Sequence, residues 1–154
     1  MNRIGGGTVT ETAKRGKFAL SFRATELEAR SGICAVAQEL RLQGVSEDTA
    51  GDIEIALAEA INNIVEHAYS GIESGNIRVI CSFQQSRLDI RVSDKGVPLP
   101  AGELPEGAPA VITDDRQDLP EGGFGWFLIR QLTSDIRYDR INGHNRLSMR
   151  FDLA

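Results

Sequence analysis

The chain has 154 residues, enough for one domain with a core of its own, since a chain this long hides about 70% of the surface its unfolded form exposes. Its 17 Lys and Arg against 22 Asp and Glu leave a net charge of −5, and an acidic chain with no basic run argues against nucleic-acid binding, where neutralised phosphates supply much of the affinity. No stretch approaches the roughly 20 apolar residues of a membrane helix, and residues 1–16 lack the apolar segment of a secretory signal, so the sequence reads as cytoplasmic and without a membrane partner.

Residues 1–15 read as an unstructured leader, and 16–154 as the folded domain. Residues 17–23 (KFALSFR) alternate apolar and polar with period two, which predicts a strand. Thr25 and Glu28 form a capping box, opening a helix that runs to about Gln43, with Gly44 placed to end it. Cys34, in this helix, and Cys81, in a later strand, stand in no CxxC and beside no metal set; both lie in apolar patterns and read as buried small hydrophobes. Ser46 caps a second helix, with Glu47 and Asp48 at its positive end, and this helix ends near Tyr69. Ile77, Val79, Cys81 and Phe83, then Leu88, Ile90 and Val92, mark two strands joined at Gln85-Ser86. Residues 97–122 hold all five prolines. A loop that long is a functional lid or a variable insertion. A short helix follows from Trp126 to about Thr133. Strands at 135–141 and 145–152 then flank Asn142-Gly143, a strong hairpin signal. Helices packed on one face of a mixed, largely antiparallel sheet follow from this order, an α+β two-layer sandwich.

Three groups of residues carry candidate chemistry. Glu59, Asn63 and His67 are spaced i, i+4, i+8 on the second helix and share a stripe, opposite the apolar Leu57, Ile61, Ile64, Val65 and Ala68. An amide oxygen there suits Mg²⁺, a hard cation that keeps several waters. A carboxylate one turn earlier suits orienting or deprotonating a hydroxyl that attacks a γ-phosphate. A solvated polar face would show the same spacing. Asp94, at a strand end, can accept a hydrogen bond from an exocyclic amine, and Gly96 lets backbone pass close to a ring; a plain turn has the same composition. Gly122, Gly123, Phe124 and Gly125 stand before a helix, where free N–H groups and the helix dipole favour anions, or where a flexible hinge would sit. No Gly-Lys-Ser/Thr follows, so this is not a Walker loop, and Leu128 stands where a dinucleotide fingerprint needs its third glycine.

Together, in order and context, the three groups resemble the nucleotide site of the GHKL superfamily, which includes gyrase and the sensor histidine kinases. LAEAINNIVEHAY (57–69) is similar to the N box, SDKG (93–96) to the first glycine box and GGFGWFLIRQL (122–132) to the second. The nearest likeness is to the RsbW and SpoIIAB group of anti-sigma serine kinases, over residues 17–152, including the final hairpin IRYDRINGHNRLSMRF (136–151). The resemblance implies a Bergerat-type fold with an ATP lid, and ATP and Mg²⁺ as cofactors. It implies Glu59 as general base and Asn63 as the Mg²⁺ ligand. Asp94 becomes the adenine contact, with Gly96 beside the ring. The second glycine box (Gly122, Gly123, Phe124 and Gly125) lies at the phosphates. Ser148 falls where the group often has a Thr near the adenine, and His67 matches the N-box histidine. The first glycine box departs from the pattern: it runs Asp94-Lys95-Gly96-Val97-Pro98, without the usual acidic residue and second glycine. As partners the resemblance implies an anti-anti-sigma protein of the STAS type as serine substrate, a sigma factor to sequester, and a second copy of the chain in a homodimer. A non-catalytic nucleotide-binding or sequestering module is the alternative. A sensor histidine kinase fragment would need a phospho-accepting histidine on a dimerising hairpin, and the two histidines lie in the N box and a hairpin turn.

Overall fold

A computed structural model of the chain describes residues 3–4, 7–8, 16–68, 75–106 and 123–153. β1 (Arg3–Ile4) and β2 (Gly7–Thr8) pair antiparallel, so these four residues of the leader form a hairpin where no structure was expected. The rest of residues 1–15 lies outside the described residues.

β3 (Lys17–Arg23) is the strand its alternation predicts, with Phe18, Leu20 and Phe22 buried and Lys17, Ser21 and Arg23 exposed. α1 (Glu26–Leu42) starts at Thr25, whose Oγ1 accepts the Glu28 amide at 3.3 Å. It stops at Gly44, whose φ of +95° suits glycine and lets the Val45 amide turn back onto the Leu40 carbonyl at 3.0 Å. α2 (Glu47–Asn63) is capped by Ser46 through the Thr49 amide and runs into a π-helical turn at Ile64–Ala68; the expected end near Tyr69 lies outside the described residues. β4 (Asn76–Gln84) and β5 (Arg87–Asp94) form the expected hairpin, with Gln85 at φ +49° in its turn. α3 (Gly123–Leu132) includes the last glycines of its box in its first turn rather than starting after them. β6 (Asp135–Ile141) and β7 (His144–Asp152) close on Asn142 and Gly143, both at positive φ.

The main sheet runs β3-β4-β5-β7-β6, and every pair in it is antiparallel. The α+β two-layer architecture is the one expected, without the mixed character: all neighbouring strands are antiparallel, because β7 lies between β5 and β6, the two strands that run the same way. One face carries the helices and, among the described residues, no helix covers the other, the usual arrangement for an antiparallel sheet. Phe18, Leu20, Ile77, Val79, Leu88, Ile90 and Met149 meet Val36, Leu40, Ile53, Leu57, Ile61 and Ile129 of the helices in one core. Fully buried Leu57 and Ile61 each contribute about 1.5–3 kcal/mol. That outweighs an exposed pair such as Arg41–Glu47, worth about 0–1 kcal/mol, so packing and not surface charge holds α2 on the sheet. Cys81 is buried as expected, but Cys34 is exposed. It lies in an apolar run, yet α1 turns Ile33, Ala35, Val36 and Ala37 inward and leaves position 34 on the outside. No helix among the described residues is long and apolar enough to cross a membrane.

Candidate active site

The strand order puts β7, not β6, beside β5, and the register aligns Asp94 with Asn145 and Asn145 with Arg140. These three residues form a row across the helix-covered side of the sheet at one end. Asp94 and Asn145 are each only 4% exposed. Asp94 Oδ1 accepts the Gly96 amide at 2.8 Å and Asn145 Nδ2 at 3.0 Å. Asn145 Nδ2 also reaches the Gly96 and Val97 carbonyls, at 3.0 and 3.2 Å. Asn145 Oδ1 accepts from Tyr138 Oη at 2.9 Å and Arg140 Nη1 at 2.7 Å. Arg140 Nη1 donates to the Gly96 carbonyl at 2.8 Å as well. Burial pushes the Asp94 carboxyl above the usual carboxylate range, against the opposing pull of Asn145, the Gly96 amide, Arg140 and His144. Among the described residues both hydrogen bonds go to Oδ1, so Oδ2 is available to an amine donor.

The second half of the site lies between α2 and α3. Gly125, in the first turn of α3, is buried against the Glu59 and Asn63 side chains: a Cβ built on it would stand 2.6 Å from Glu59 Oε2 and 3.8 Å from Asn63 Nδ2. Asn63 Nδ2 is buried with no hydrogen-bond partner. A carboxylate, an amide with unmet bonding capacity and the positive end of a helix thus meet in one place. α3 is held there by Trp126 and Ile129, both in the core. Arg130 of the same helix donates two hydrogen bonds, at 3.2 and 3.0 Å, to the Pro105 carbonyl, tying α3 to the described start of the long loop. Tyr138 Oη accepts the Leu99 amide at 3.0 Å, a second tie. Residues 107–122, most of the expected lid, lie outside the described residues.

The candidate residues thus divide. Glu59, Asn63 and Gly125 come together, and Asp94 and Gly96 come together with Asn145. His67 does not join its stripe-mates: the helix changes to a π turn just after Asn63, and the imidazole is exposed, 3.6 Å from the Glu66 carboxylate. Gly123 and Phe124 are in the first turn of α3; Gly122 lies outside the described residues. Ser148 is the correction. It pairs with Arg91 and Arg137 and lines a depression on the open face with Lys17, Asp89 and Arg150, away from Asp94. Strand alternation puts Asn145, Leu147 and Met149 on the covered side and Ser148 on the other. The position beside Asp94 belongs to Asn145, which the sequence reading missed. Its available signal was parity: in an antiparallel pair, the residue level with a strand's last buried position faces the same way.

The histidine kinase-like ATPase domain family matches residues 22–151, a span that includes every one of these residues. The chain belongs to this family. Within it, the chain is 32% identical over 116 residues to the serine-protein kinase RsbW of Oceanobacillus iheyensis, covering 75% of this chain and 72% of that protein, which places it in the RsbW serine-protein kinase family. It is 36% identical over 95 residues to RsbW of Listeria innocua and 37% identical over 95 residues to RsbW of Bacillus thuringiensis. The chain spans 60% and 59% of the length of those two relatives. The fold is also that of the crystal structure of the RsbU and RsbW domains of Rv1364c from Mycobacterium tuberculosis, with a TM-score of 0.64 at 20% identity over 89% of this chain and 32% of that one. A blue-light activated histidine kinase from Erythrobacter litoralis is similar at a TM-score of 0.51 and 21% identity, over 71% of this chain and 32% of that one.

Proposed function

We propose that this RsbW-family chain binds Mg-ATP and transfers its γ-phosphate to a serine of a partner protein. The observation that carries this reading is the meeting of Glu59 and Asn63 of α2 with the first turn of α3. Asp94 would accept the adenine amine through Oδ2, with Gly96 beside the ring. The α3 N-terminus would hold phosphate oxygens by its free amides and dipole. Asn63 fits a Mg²⁺-phosphate group because its amide lies beside that helix end: the buried Nδ2, without a partner, can donate to a phosphate oxygen, and Oδ1 can ligate the cation. A cation here would be held by one amide oxygen, phosphate oxygens and water. Mg²⁺ supplies charge neutralisation on the phosphates. In the transfer, the serine oxygen bonds to the γ-phosphorus, the bond to the ADP oxygen breaks, and the serine proton passes to Glu59.

As partners we propose an anti-anti-sigma protein of the STAS type as the serine substrate and a sigma factor as the sequestered target, with a homodimer as the binding form; membership of the RsbW family supports the first two. A nucleotide-dependent preference between the two partners requires different affinities in the ATP and ADP states.

The test is calorimetric titration with ATP, with and without Mg²⁺, on the unaltered chain and on Asn63→Ala and Glu59→Ala. The expected result is Mg-dependent binding lost in Asn63→Ala and kept in Glu59→Ala, with phosphate transfer to the STAS protein abolished in Glu59→Ala. No nucleotide binding by the unaltered chain would overturn the kinase reading and leave a sequestering module.

A further inference from the structure

Residue 125 is glycine where α3 meets the Glu59 and Asn63 side chains of α2. The nearest atom to a Cβ there is neither backbone nor core: it is Glu59 Oε2, at 2.6 Å, with Glu59 Cδ at 3.6 Å. Real Cβ atoms do not sit so close, so any side chain at 125 must displace its neighbour. That neighbour is the free end of a three-carbon side chain that can turn away, because Glu59 is only partly buried. An alanine would therefore leave the fold in place and move the carboxylate. Nor does backbone conformation demand glycine, since Gly125 lies inside α3 with no positive φ, where alanine is the better helix former.

We infer that Gly125 is a positioning residue for Glu59: it is glycine to keep open the space that the Glu59 carboxylate occupies. The inference rests on the kinase reading for its consequence, because a base must stay within hydrogen-bond reach of the hydroxyl it serves. It gives the glycines of this segment different jobs. Gly123 opens the helix, where amides are free; Gly125 sets where the base rests.

The test observes the carboxylate and the nucleotide separately. The side-chain carboxyl resonance of Glu59 is followed in protein labelled with ¹³C at glutamate Cδ and identified by its loss in Glu59→Gln. In Gly125→Ala it is expected to move towards the resonances of the solvated glutamates. Mg-ATP affinity, measured by calorimetry on the same variant, is expected to change less than about threefold, whereas a lost hydrogen bond to phosphate brings about tenfold or more. Turnover is expected to fall about 100-fold, the scale of a misplaced general base. An unmoved Glu59 resonance overturns the inference, and so does a tenfold loss of affinity, which would make Gly125 a phosphate contact. If Gly125→Ala does not fold, Gly125→Ala/Glu59→Ala decides: folding restored supports the inference, and folding still lost overturns it. If the unaltered chain binds no Mg-ATP, the kinase reading fails, while the resonance still tells whether Gly125 sets the place of Glu59.

Discussion

Asp94 pays for its place at the end of the sheet. Burial holds its carboxyl above the ordinary value of 3.8, so the folded state binds that proton more tightly than the unfolded one. Stability linked to the proton is complete below about pH 3.8 and is lost as pH rises through the higher folded value. At neutral pH the charge is a standing cost that an apolar core would not carry, and adenine recognition is the role proposed for it. Asp94→Asn keeps an oxygen for the Gly96 and Asn145 donors, so it is expected to raise the melting temperature at pH 7, with the gain shrinking to nothing below about pH 3.8. Mg-ATP affinity in the same variant is expected to fall about 10- to 100-fold, the loss of one hydrogen bond to a charged acceptor. Asn145 is the opposite case, a neutral residue whose value is structural. Asn145→Ala leaves the Asp94 carboxylate without its Asn145 donor and the Tyr138 hydroxyl without its acceptor, and is expected to lower stability by about 1–3 kcal/mol by denaturant midpoint, together with nucleotide affinity.

Two close contacts between elements differ in what they press against. α1 lies so close to β3 that a Cβ on Gly32 would fall 2.4 Å from the Phe22 ring. Phe22 is 5% exposed, and its ring, unlike the Glu59 carboxylate, has no solvent to turn into. Gly32→Ala is therefore expected to cost about 1–3 kcal/mol by overpacking, more than the up to about 1 kcal/mol of helix propensity it gains, as a lowered denaturation midpoint with Mg-ATP affinity of the folded fraction unchanged. The contact of α3 with α2 is of the other kind, tight against a movable polar group, and there the fold yields while the chemistry does not. The turn from α2 into a π helix belongs to this scale too: π turns are uncommon and gather at functional sites, and this one separates Asn63, facing α3, from exposed His67.

At the scale of the whole molecule, a ligand that binds only the folded chain must stabilise it. Mg-ATP at 100 times its dissociation constant adds about 2.7 kcal/mol, expected as a rise in melting temperature of about 5–10 °C for a chain this size. Asn63→Ala should lose the Mg-dependent part of that rise, measured with and without chelator.

Much of this molecule was readable from local signals. The caps at Thr25 and Ser46, the Gly44 stop, the two hairpins and the alternation of β3, β4 and β5 depend on neighbouring residues, and the structure keeps them at those positions. The Glu59/Asn63 pair was readable for the same reason: helical periodicity puts them on one face without any other element. What the sequence could not determine was strand order. Asn145 became the partner of Asp94, and Ser148 passed to the open face, because β7 inserts between β5 and β6. That choice is made by which apolar faces bury together over the length of the chain, and local patterns carry no information about it. The clash that makes residue 125 sensitive was equally hidden, since it exists only between two helices 60 residues apart in sequence that the core brings within contact.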